Sequence, residues 1–328
     1  MTQIPRPEHP QPQMKREHWK NLNGEWDFSF DFGCSGIDQK WQEGKTDWEK
    51  KILVPFCPES DLSGIGYKDF IPGVWYHRTI TLTGEELKGD LLLHFGAVDY
   101  DARVWINGVE AGRHQGGYVS FTFNITKLVK EGENDITLFA ADDVRGGKQP
   151  KGKQSHFFYS RGCDYTRTTG IWQTVWLEWV PESYIEKVQY YPNLAEATLG
   201  IKAVVKGQGT LEAKAFYGGE PCGSVSAKSE GGTVTMTLPL SRLEKWEPGH
   251  GRLYDLTLTY GEDKVESYFG MREVRLDGEK FLINDKSVFQ RLVLDQGFYP
   301  DGIYTAPTEE ALVKDVELSC LLYTSPSP

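Results

Sequence analysis

Hydrophobic and polar residues alternate along most of the chain with a period of two, which is typical of strands with one buried face. In GEWDFSF (24–30), Trp26, Phe28 and Phe30 alternate with polar neighbours, and residues 74–82 repeat the pattern. Asn107-Gly108 separates two further runs and predicts a two-residue hairpin turn, in which both residues need a positive φ. With the run over 171–180, these strands predict an all-β jelly-roll sandwich over residues 1–181.

Beyond Pro181 the strands become shorter, more regular and poorer in tryptophan. They predict an immunoglobulin-like sandwich over residues 182–274. From residue 275 a small hairpin leads into an apolar run that predicts a buried strand, and Thr308 is the expected N-cap of a following helix. Strand followed by helix predicts the incomplete start of an α/β barrel over 275–328, with a non-native tail expected from about residue 320.

Composition narrows the possible partners. The 328 residues suit two or three domains, and ten tryptophans supply material for packed cores. A net charge of −11 argues against nucleic acid or an anionic membrane as partner, because both require a basic face. The sequence also has no apolar run long enough to cross a bilayer.

The cysteines indicate a reducing compartment. Their number is odd and their spacing shows no CxxC pair, which favours free thiols over a disulfide framework or a zinc site. They are Cys34, Cys57, Cys163, Cys222 and Cys320. The N-terminus has no apolar signal-peptide core, so we expect a cytoplasmic location. His94, His114 and His156 lack the spacing of metal ligands, so the residues themselves predict no metal site.

Six segments, in this order and at this spacing, resemble glycoside hydrolase family 2, which includes β-galactosidases, β-glucuronidases and β-mannosidases. The segments are LNGEWDF (22–28), ILVPFCPES (52–60), VWYHRTI (74–80), residues 93–126, GIWQTVWLE (170–178) and FGMREVRLDGEKFLIND (269–285). The resemblance extends to about residue 319. It implies a galactose-binding-like jelly roll, an immunoglobulin-like domain and the start of a (β/α)8 barrel.

The resemblance implies sugar-binding roles for four residues. Asp164 and Arg167 match the family pattern Asp-x-x-Arg-x-x-Gly-Ile, in which the Asp contacts the terminal sugar and, in some members, a sodium ion. An arginine fork could hold that carboxylate in place, although a purely structural Asp–Arg pair is the other interpretation. Glu59 matches a loop that lines the sugar pocket. Asp295 lies at the expected end of the first barrel strand, where such barrels keep site residues.

The same family comparison limits the expected activity. Retaining glycosidases need two carboxylates about 5–5.5 Å apart, and in this family both are glutamates on late barrel strands, one of them after an Asn. The chain has no Asn-Glu dipeptide, and VLDQG (293–297) replaces the common Asn-x-His-Glu, which puts the usual β-galactosidase specificity in doubt.

We therefore expect the N-terminal fragment of a retaining, exo-acting glycoside hydrolase for β-galactoside-type substrates, inactive by itself. The resemblance implies a carbohydrate as partner and no cofactor in the fragment. For the full-length enzyme it implies Na⁺ or Mg²⁺ and a homo-oligomer. Two alternatives remain open: a stand-alone carbohydrate-binding pair of sandwiches, and a two-sandwich interaction protein that binds no sugar.

Overall fold

The computed structural model describes residues 4–290 and 292–324. The chain divides into two compact units. Of the described residues, unit 1 comprises 4–10, 19–179 and 293–324, whereas unit 2 comprises 11–18, 180–290 and Leu292. The N-terminal residues 11–18, which the sequence pattern places with the first sandwich, thus pack in unit 2.

The first twelve strands build unit 1 as a β-sandwich. They are β1 Trp19–Asn21, β2 Gly24–Phe30, β3 Lys50–Val54, β4 Gly73–Leu82, β5 Asp90–Phe95, β6 Val98–Asp99, β7 Asp101–Ile106, β8 Val109–Gln115, β9 Phe121–Asn124, β10 Gly132–Ala141, β11 Gly170–Ile171 and β12 Val175–Val180. Three short 3₁₀ helices span Trp41–Glu43, Asp61–Ser63 and Glu85–Leu87.

The strands form a six-stranded sheet in the order β3-β2-β4-β10-β7-β8 and a four-stranded sheet in the order β1-β12-β5-β9. A short pair, β11-β6, accompanies them. The predicted run over 171–180 is therefore divided between β11 and β12. The predicted turn is confirmed: Asn107 and Gly108, with φ of 52° and 79°, join β7 to β8.

The core of unit 1 lies between the two sheets and consists of the residues that the alternation placed on the inner faces. Trp26 and Phe28 of β2, Tyr76 of β4 and Leu93 of β5 are all buried there. Consecutive strand residues point to opposite faces. On the outer face of the six-stranded sheet, Trp75 therefore packs in a second, smaller cluster with Trp105 and Phe139.

Unit 2 is a second β-sandwich, confirming the prediction of an all-β fold with two sandwiches. Its strands are β13 Tyr184–Asn193, β14 Thr198–Lys206, β15 Gly209–Tyr217, β16 Glu220–Ser229, β17 Gly232–Pro239, β18 Tyr254–Tyr260 and β19 Asp263–Phe269. They form one sheet in the order β13-β14-β17 and another in the order β16-β15-β18-β19. The predicted hairpin follows as β20 Val274–Asp277, β21 Lys280–Ile283 and β22 Lys286–Ser287.

A buried ion pair fastens the N-terminal segment to unit 2. Arg16 Nε and Nη2 donate to the two carboxylate oxygens of Asp263 at 2.8 and 3.0 Å. Arg16 Nη2 also donates to the Ile185 carbonyl at 2.6 Å, and the Ile185 amide donates to Asp263 at 2.9 Å. Because the fork is bidentate and both charges are satisfied, the pair can stabilise this unit despite its burial.

The expected buried strand after the hairpin does not form, since the described residues between 288 and 298 contain no strand. Phe289, Leu292 and Leu294 are 86%, 77% and 80% exposed. A strand of a parallel sheet needs hydrogen-bonded neighbours, and no described strand pairs with this segment.

The predicted helix is confirmed as α1, Glu309–Thr324. The Thr308 hydroxyl accepts a hydrogen bond from the Ala311 amide at 3.2 Å, as expected of an N-cap. The helix continues past residue 320, where the sequence predicted a tail, and the last four residues of that predicted tail lie outside the described residues. Among the described helices, none is long and apolar enough to span a bilayer.

Candidate functional site

Asp164 lies on the long loop that joins β10 to β11, which we call the β10–β11 loop (residues 142–169). Its side chain is 27% exposed, and its Oδ2 atom is 3.9 Å from Lys151 Nζ. A tight turn positions it, because Arg161 and Asp164 exchange backbone hydrogen bonds of 3.1 and 3.0 Å. Gly162 supplies the positive φ of 59° that this turn requires. The carboxylate is thus held at the surface by the backbone of its own loop.

The expected ion pair between Asp164 and Arg167 is not present. Arg167 is 2% exposed, and its guanidinium donates to backbone carbonyls, not to a carboxylate. The acceptors are the carbonyls of Ser155, Phe157, Phe158 and Lys68. The guanidinium also lies over the Phe70 ring, 4.4 Å from its centroid. Arg167 therefore organises the loop backbone, which leaves the Asp164 carboxylate available.

Glu59 is fully buried, so the structure places it in the core and not in the wall of an open sugar pocket. Its Oε1 atom accepts a hydrogen bond from the Thr169 hydroxyl at 2.6 Å, and its Oε2 atom accepts one from the Thr169 amide at 3.1 Å. Burial raises the pKa of Glu59 to about 8, although these two hydrogen bonds oppose the rise. Glu59 anchors the end of the β10–β11 loop.

Two further buried acids surround this anchor. Asp142 accepts a hydrogen bond from Gln149 at 2.6 Å and lies 3.3 Å from the Thr169 hydroxyl. Asp99 accepts a hydrogen bond from Gln154 at 2.7 Å. Burial raises the pKa of Asp142 to about 7 and that of Asp99 to about 8, the charge of Asp142 adding to the second shift.

The single hydroxyl proton of Thr169 cannot serve both the Glu59 and the Asp142 carboxylate. One of the two acids must therefore be protonated to donate back to the hydroxyl oxygen if both contacts are hydrogen bonds. The raised pKa values of both acids are consistent with such a shared proton.

Aromatic side chains border Asp164. Tyr165 stacks on Phe298 with ring centroids 4.5 Å apart. Tyr304 contacts both Tyr118 and Trp172, at centroid separations of 6.0 and 5.7 Å. Burial raises the pKa of Tyr304, and nearby acids that include Asp164 contribute to the rise. The site therefore combines a partly exposed carboxylate with ring faces, a combination that suits the hydroxyl groups and C–H faces of a sugar.

Asp295 lies in the exposed segment before Phe298. Its carboxylate accepts a hydrogen bond of 2.7 Å from the Gly297 amide. No strand ends at this residue, so the position expected from a barrel is not formed here. The described residues also contain no group of three His, Cys, Asp or Glu side chains that could hold a metal ion. Asp164 as a sodium ligand therefore stays a prediction.

The sequence pattern did not single out the buried partners of Glu59. Asp142 directly follows the apolar strand β10, and Asp99 interrupts the apolar run that forms β5 and β6. An acid in or beside a buried strand is a weak but readable signal, because burying a charge without a partner is costly. Gln154 and Thr169 carry no such signal, since their role depends entirely on which acids they meet.

Two consecutive parts of the chain match models of a known protein family. Residues 19–181 match the model described as "Glycosyl hydrolases family 2, sugar binding domain", and residues 183–272 match "Glycosyl hydrolases family 2". A β-glucuronidase of Paenibacillus borealis is 24% identical and that of Sus scrofa 27% identical, over 82% and 86% of this chain. The chain spans 48% of the length of each.

A solved structure shows the same fold. The β-glucuronidase from Ruminococcus gnavus in complex with D-glucuronic acid superposes with a TM-score of 0.79 at 20% sequence identity. The alignment covers 96% of this chain and 57% of that one. Both domain models cover consecutive parts of the chain and together account for most of it. The chain therefore belongs to glycosyl hydrolase family 2.

Proposed function

We propose that this chain forms the sugar-binding part of a retaining, exo-acting glycoside hydrolase, in which Asp164 contacts the terminal sugar. The observation that carries the proposal is the contrast among the acids around the β10–β11 loop. Glu59, Asp99 and Asp142 are buried at 0%, 1% and 5% exposure, whereas the Asp164 side chain is 27% exposed beside partly exposed rings.

The chemistry of this position suits a sugar hydroxyl pair. An ionised carboxylate accepts several hydrogen bonds and can hold two vicinal hydroxyls at once. Charge-assisted bonds of this kind are stronger than neutral ones. The Arg167 contacts to the loop backbone and the Glu59 anchor reduce the motion of the loop, so little ordering would be needed on binding.

The substrate proposed first is a terminal β-glucuronide. The relatives and the solved structure reported above are all named β-glucuronidases, which favours this sugar over the β-galactoside type that the sequence resemblance suggested. Because the chain spans about half of these relatives, the substrate belongs to the proposal for the whole enzyme.

We also propose that the chain alone does not hydrolyse glycosides. Glu59 and Asp142, which share Thr169, are the close carboxyl pair of the site, but both are buried. The cavity beside Asp142 has a volume of about 140 Å³, whereas ligand pockets usually measure about 300–1,000 Å³. A glycosidic bond cannot reach this pair, so the two catalytic carboxylates must come from elsewhere in the enzyme.

The test is sugar binding to the intact chain, measured by saturation-transfer NMR with methyl β-D-glucuronide and methyl β-D-galactoside. We expect glucuronide binding with a Kd of about 1–10 mM, weakened about tenfold or more in Asp164→Asn. Asp277→Asn, which changes an exposed carboxylate in unit 2, is the matched control and should bind normally. Equal binding by Asp164→Asn and the wild type would rule out the proposed contact.

A panel of nitrophenyl glycosides tests the second part of the proposal. We expect no turnover of the glucuronide, galactoside or mannoside above buffer. Turnover that survives repurification would contradict this part of the proposal, and its loss in Glu59→Gln would show that the buried pair of Glu59 and Asp142 takes part in it.

A further inference from the structure

Consecutive ring-bearing residues form an exposed stretch of the β10–β11 loop, which we call the aromatic loop (residues 156–159). Phe158 and Tyr159 are 65% and 62% exposed. Other large aromatic side chains of unit 1 are buried, including Trp26, Trp75 and Trp176. Adjacent exposed aromatic residues of this kind often mark a binding surface.

The backbone of the aromatic loop is held in place, although its rings are exposed. Arg167 donates to the carbonyls of Ser155, Phe157 and Phe158, as described above. The Ser155 hydroxyl accepts a hydrogen bond from the Phe157 amide at 3.1 Å and donates to the Tyr159 carbonyl at 2.9 Å. A buried cation and a buried hydroxyl thus fix the conformation that presents the rings, which lowers the entropy cost of binding.

Neighbouring side chains also hold the rings. Phe158 contacts Phe70 edge to face, with centroids 5.0 Å apart. Phe157 and Tyr159 stack at 5.9 Å, and the Arg161 guanidinium lies 5.2 Å from the centre of the Phe157 ring. The result is a small, supported apolar surface, in which each ring has a protein neighbour and a part that faces solvent.

This surface is continuous with the proposed sugar contact. Arg161 follows the aromatic loop closely, and its mutual backbone bonds with Asp164 place the sugar-facing carboxylate at the next turn of the same chain segment. Lys151 links the two features, because its Nζ atom lies 3.5 Å from Nδ1 of His156, the first residue of the aromatic loop, and 3.9 Å from Oδ2 of Asp164. A glycoside bound at Asp164 would therefore have the aromatic loop as its neighbour. An aryl group that packs on one such ring should tighten binding by about two- to tenfold.

We propose that the aromatic loop binds the aglycone of the substrate and that it selects an aromatic leaving group. The proposal rests on the proposed function, because it requires a glycoside at Asp164. A further sugar is a poorer occupant, since Phe157 and Phe158, two of the four rings, offer no hydrogen-bond partners, whereas a sugar needs a polar partner for each hydroxyl that it buries. Planar aryl groups match the exposed ring faces in both shape and polarity.

The experiment compares 4-nitrophenyl β-D-glucuronide with methyl β-D-glucuronide as ligands of the intact chain. Saturation-transfer NMR gives the Kd of each and shows which ligand protons lie against the protein. The loop variant is Phe158→Ser with Tyr159→Ser. The matched control is Tyr191→Ser with Phe289→Ser, which removes two aromatic side chains of 53% and 86% exposure in unit 2.

We expect the wild type to bind the aryl glycoside about tenfold more tightly than the methyl glycoside. The loop variant should reduce this preference to less than about twofold with unchanged methyl glycoside binding, while the control variant keeps the full preference. Asp164→Asn should raise the Kd of both glycosides by the same factor, because it acts on the sugar that they share. Loss of the aryl preference and loss of sugar binding are therefore separate results.

Four outcomes would overturn the proposal. The first is a wild type that binds both glycosides equally, and the second is a loop variant that keeps the aryl preference. The third is the absence of aryl glycoside binding up to about 20 mM, since the loop is built from contacts within this chain. The fourth is a wild type that sediments as a dimer and a loop variant that sediments as a monomer, because the rings would then serve self-association.

Discussion

Replacing Glu59 by Gln should change how the stability of unit 1 depends on pH. The pKa of Glu59 is about 8 in the folded protein against an ordinary value of 4.5, and the largest cause is burial. The folded state therefore holds this proton more tightly than the unfolded chain does. As the pH rises from about 4.5 to about 8, the unfolded state loses the proton first, so unfolding becomes easier.

The size of the effect follows from the linkage between pKa and stability. A rise from 4.5 to about 8 corresponds to about 5 kcal/mol, nearly all of it lost by about pH 9, and about half of it lies between pH 5 and pH 7. The titratable groups that face Glu59 are Cys57, Tyr76, Asp99, Asp142 and Arg167. Among them, Arg167 is the charge that would favour ionised Glu59, and its guanidinium is occupied by carbonyls.

Gln is the informative substitution because it keeps the shape and cannot ionise. Its carboxamide oxygen can still accept from the Thr169 amide, while its amino group can donate to the Thr169 hydroxyl, which then donates to Asp142. We expect the free energy of unfolding of Glu59→Gln, relative to the wild type, to increase by about 2 kcal/mol between pH 5 and pH 7.

Urea denaturation at pH 5, 6, 7, 8 and 9 measures this difference, with tryptophan fluorescence and far-ultraviolet circular dichroism as independent probes. Glu110→Gln, which neutralises an exposed carboxylate of the same unit, should show a difference from the wild type that stays within about 0.5 kcal/mol across this range. A Glu59→Gln curve parallel to that of the wild type from pH 5 to pH 9 would refute the reasoning, since Glu59 would then ionise equally in both states.

Three other substitutions test contacts on which the two units depend. Arg167→Met should destabilise unit 1 by about 3 kcal/mol or more, because several loop carbonyls lose their donor, and urea denaturation would show the loss. Asp263→Asn should cost unit 2 about 3–5 kcal/mol, because it removes the carboxylate that neutralises the buried Arg16 guanidinium. Gly170→Ala should cost about 2–4 kcal/mol in thermal or urea unfolding, because Gly170 has a φ of +73° and its added methyl would lie 2.4 Å from the Tyr76 hydroxyl.

Two of these substitutions, Asp263→Asn and Gly170→Ala, have a control in the same chain. Asp285→Asn breaks the exposed pair with Arg275 and should cost less than about 1 kcal/mol. Gly218→Ala places an alanine at a similar positive φ of 61° but in open space, so it should cost only about 1 kcal/mol. Equal losses for the buried and the exposed members of either pair would contradict the assigned packing. For Arg167→Met, a loss below about 1 kcal/mol would show that water replaces the guanidinium.

Local patterns in the sequence determined the strands and the helix. Trp26, Phe28 and Phe30 occupy every second position and therefore share the inner face of one strand, because successive strand residues point to opposite sides. Asn107-Gly108 and Thr308 predicted a turn and a helix start through requirements that involve only neighbouring residues. The order of these elements was also enough to suggest the family. The prediction of a buried strand around Leu292 was wrong, because a strand depends on hydrogen-bonded partners elsewhere in the fold.

The tertiary structure decided which charged groups are buried and with what partner. The sequence shows only that Asp164, Arg167 and Glu59 are charged residues. The folded chain shows that Arg167 donates to carbonyls, that Glu59 is buried against Thr169 and that Asp164 lies at the surface. The sequence does not show which residues will be partners, since Glu59 and Thr169 are 110 residues apart along the chain. Burial changes the pKa of an acid and determines which acceptors an arginine can contact. Burial itself is set by the packing of the whole sandwich.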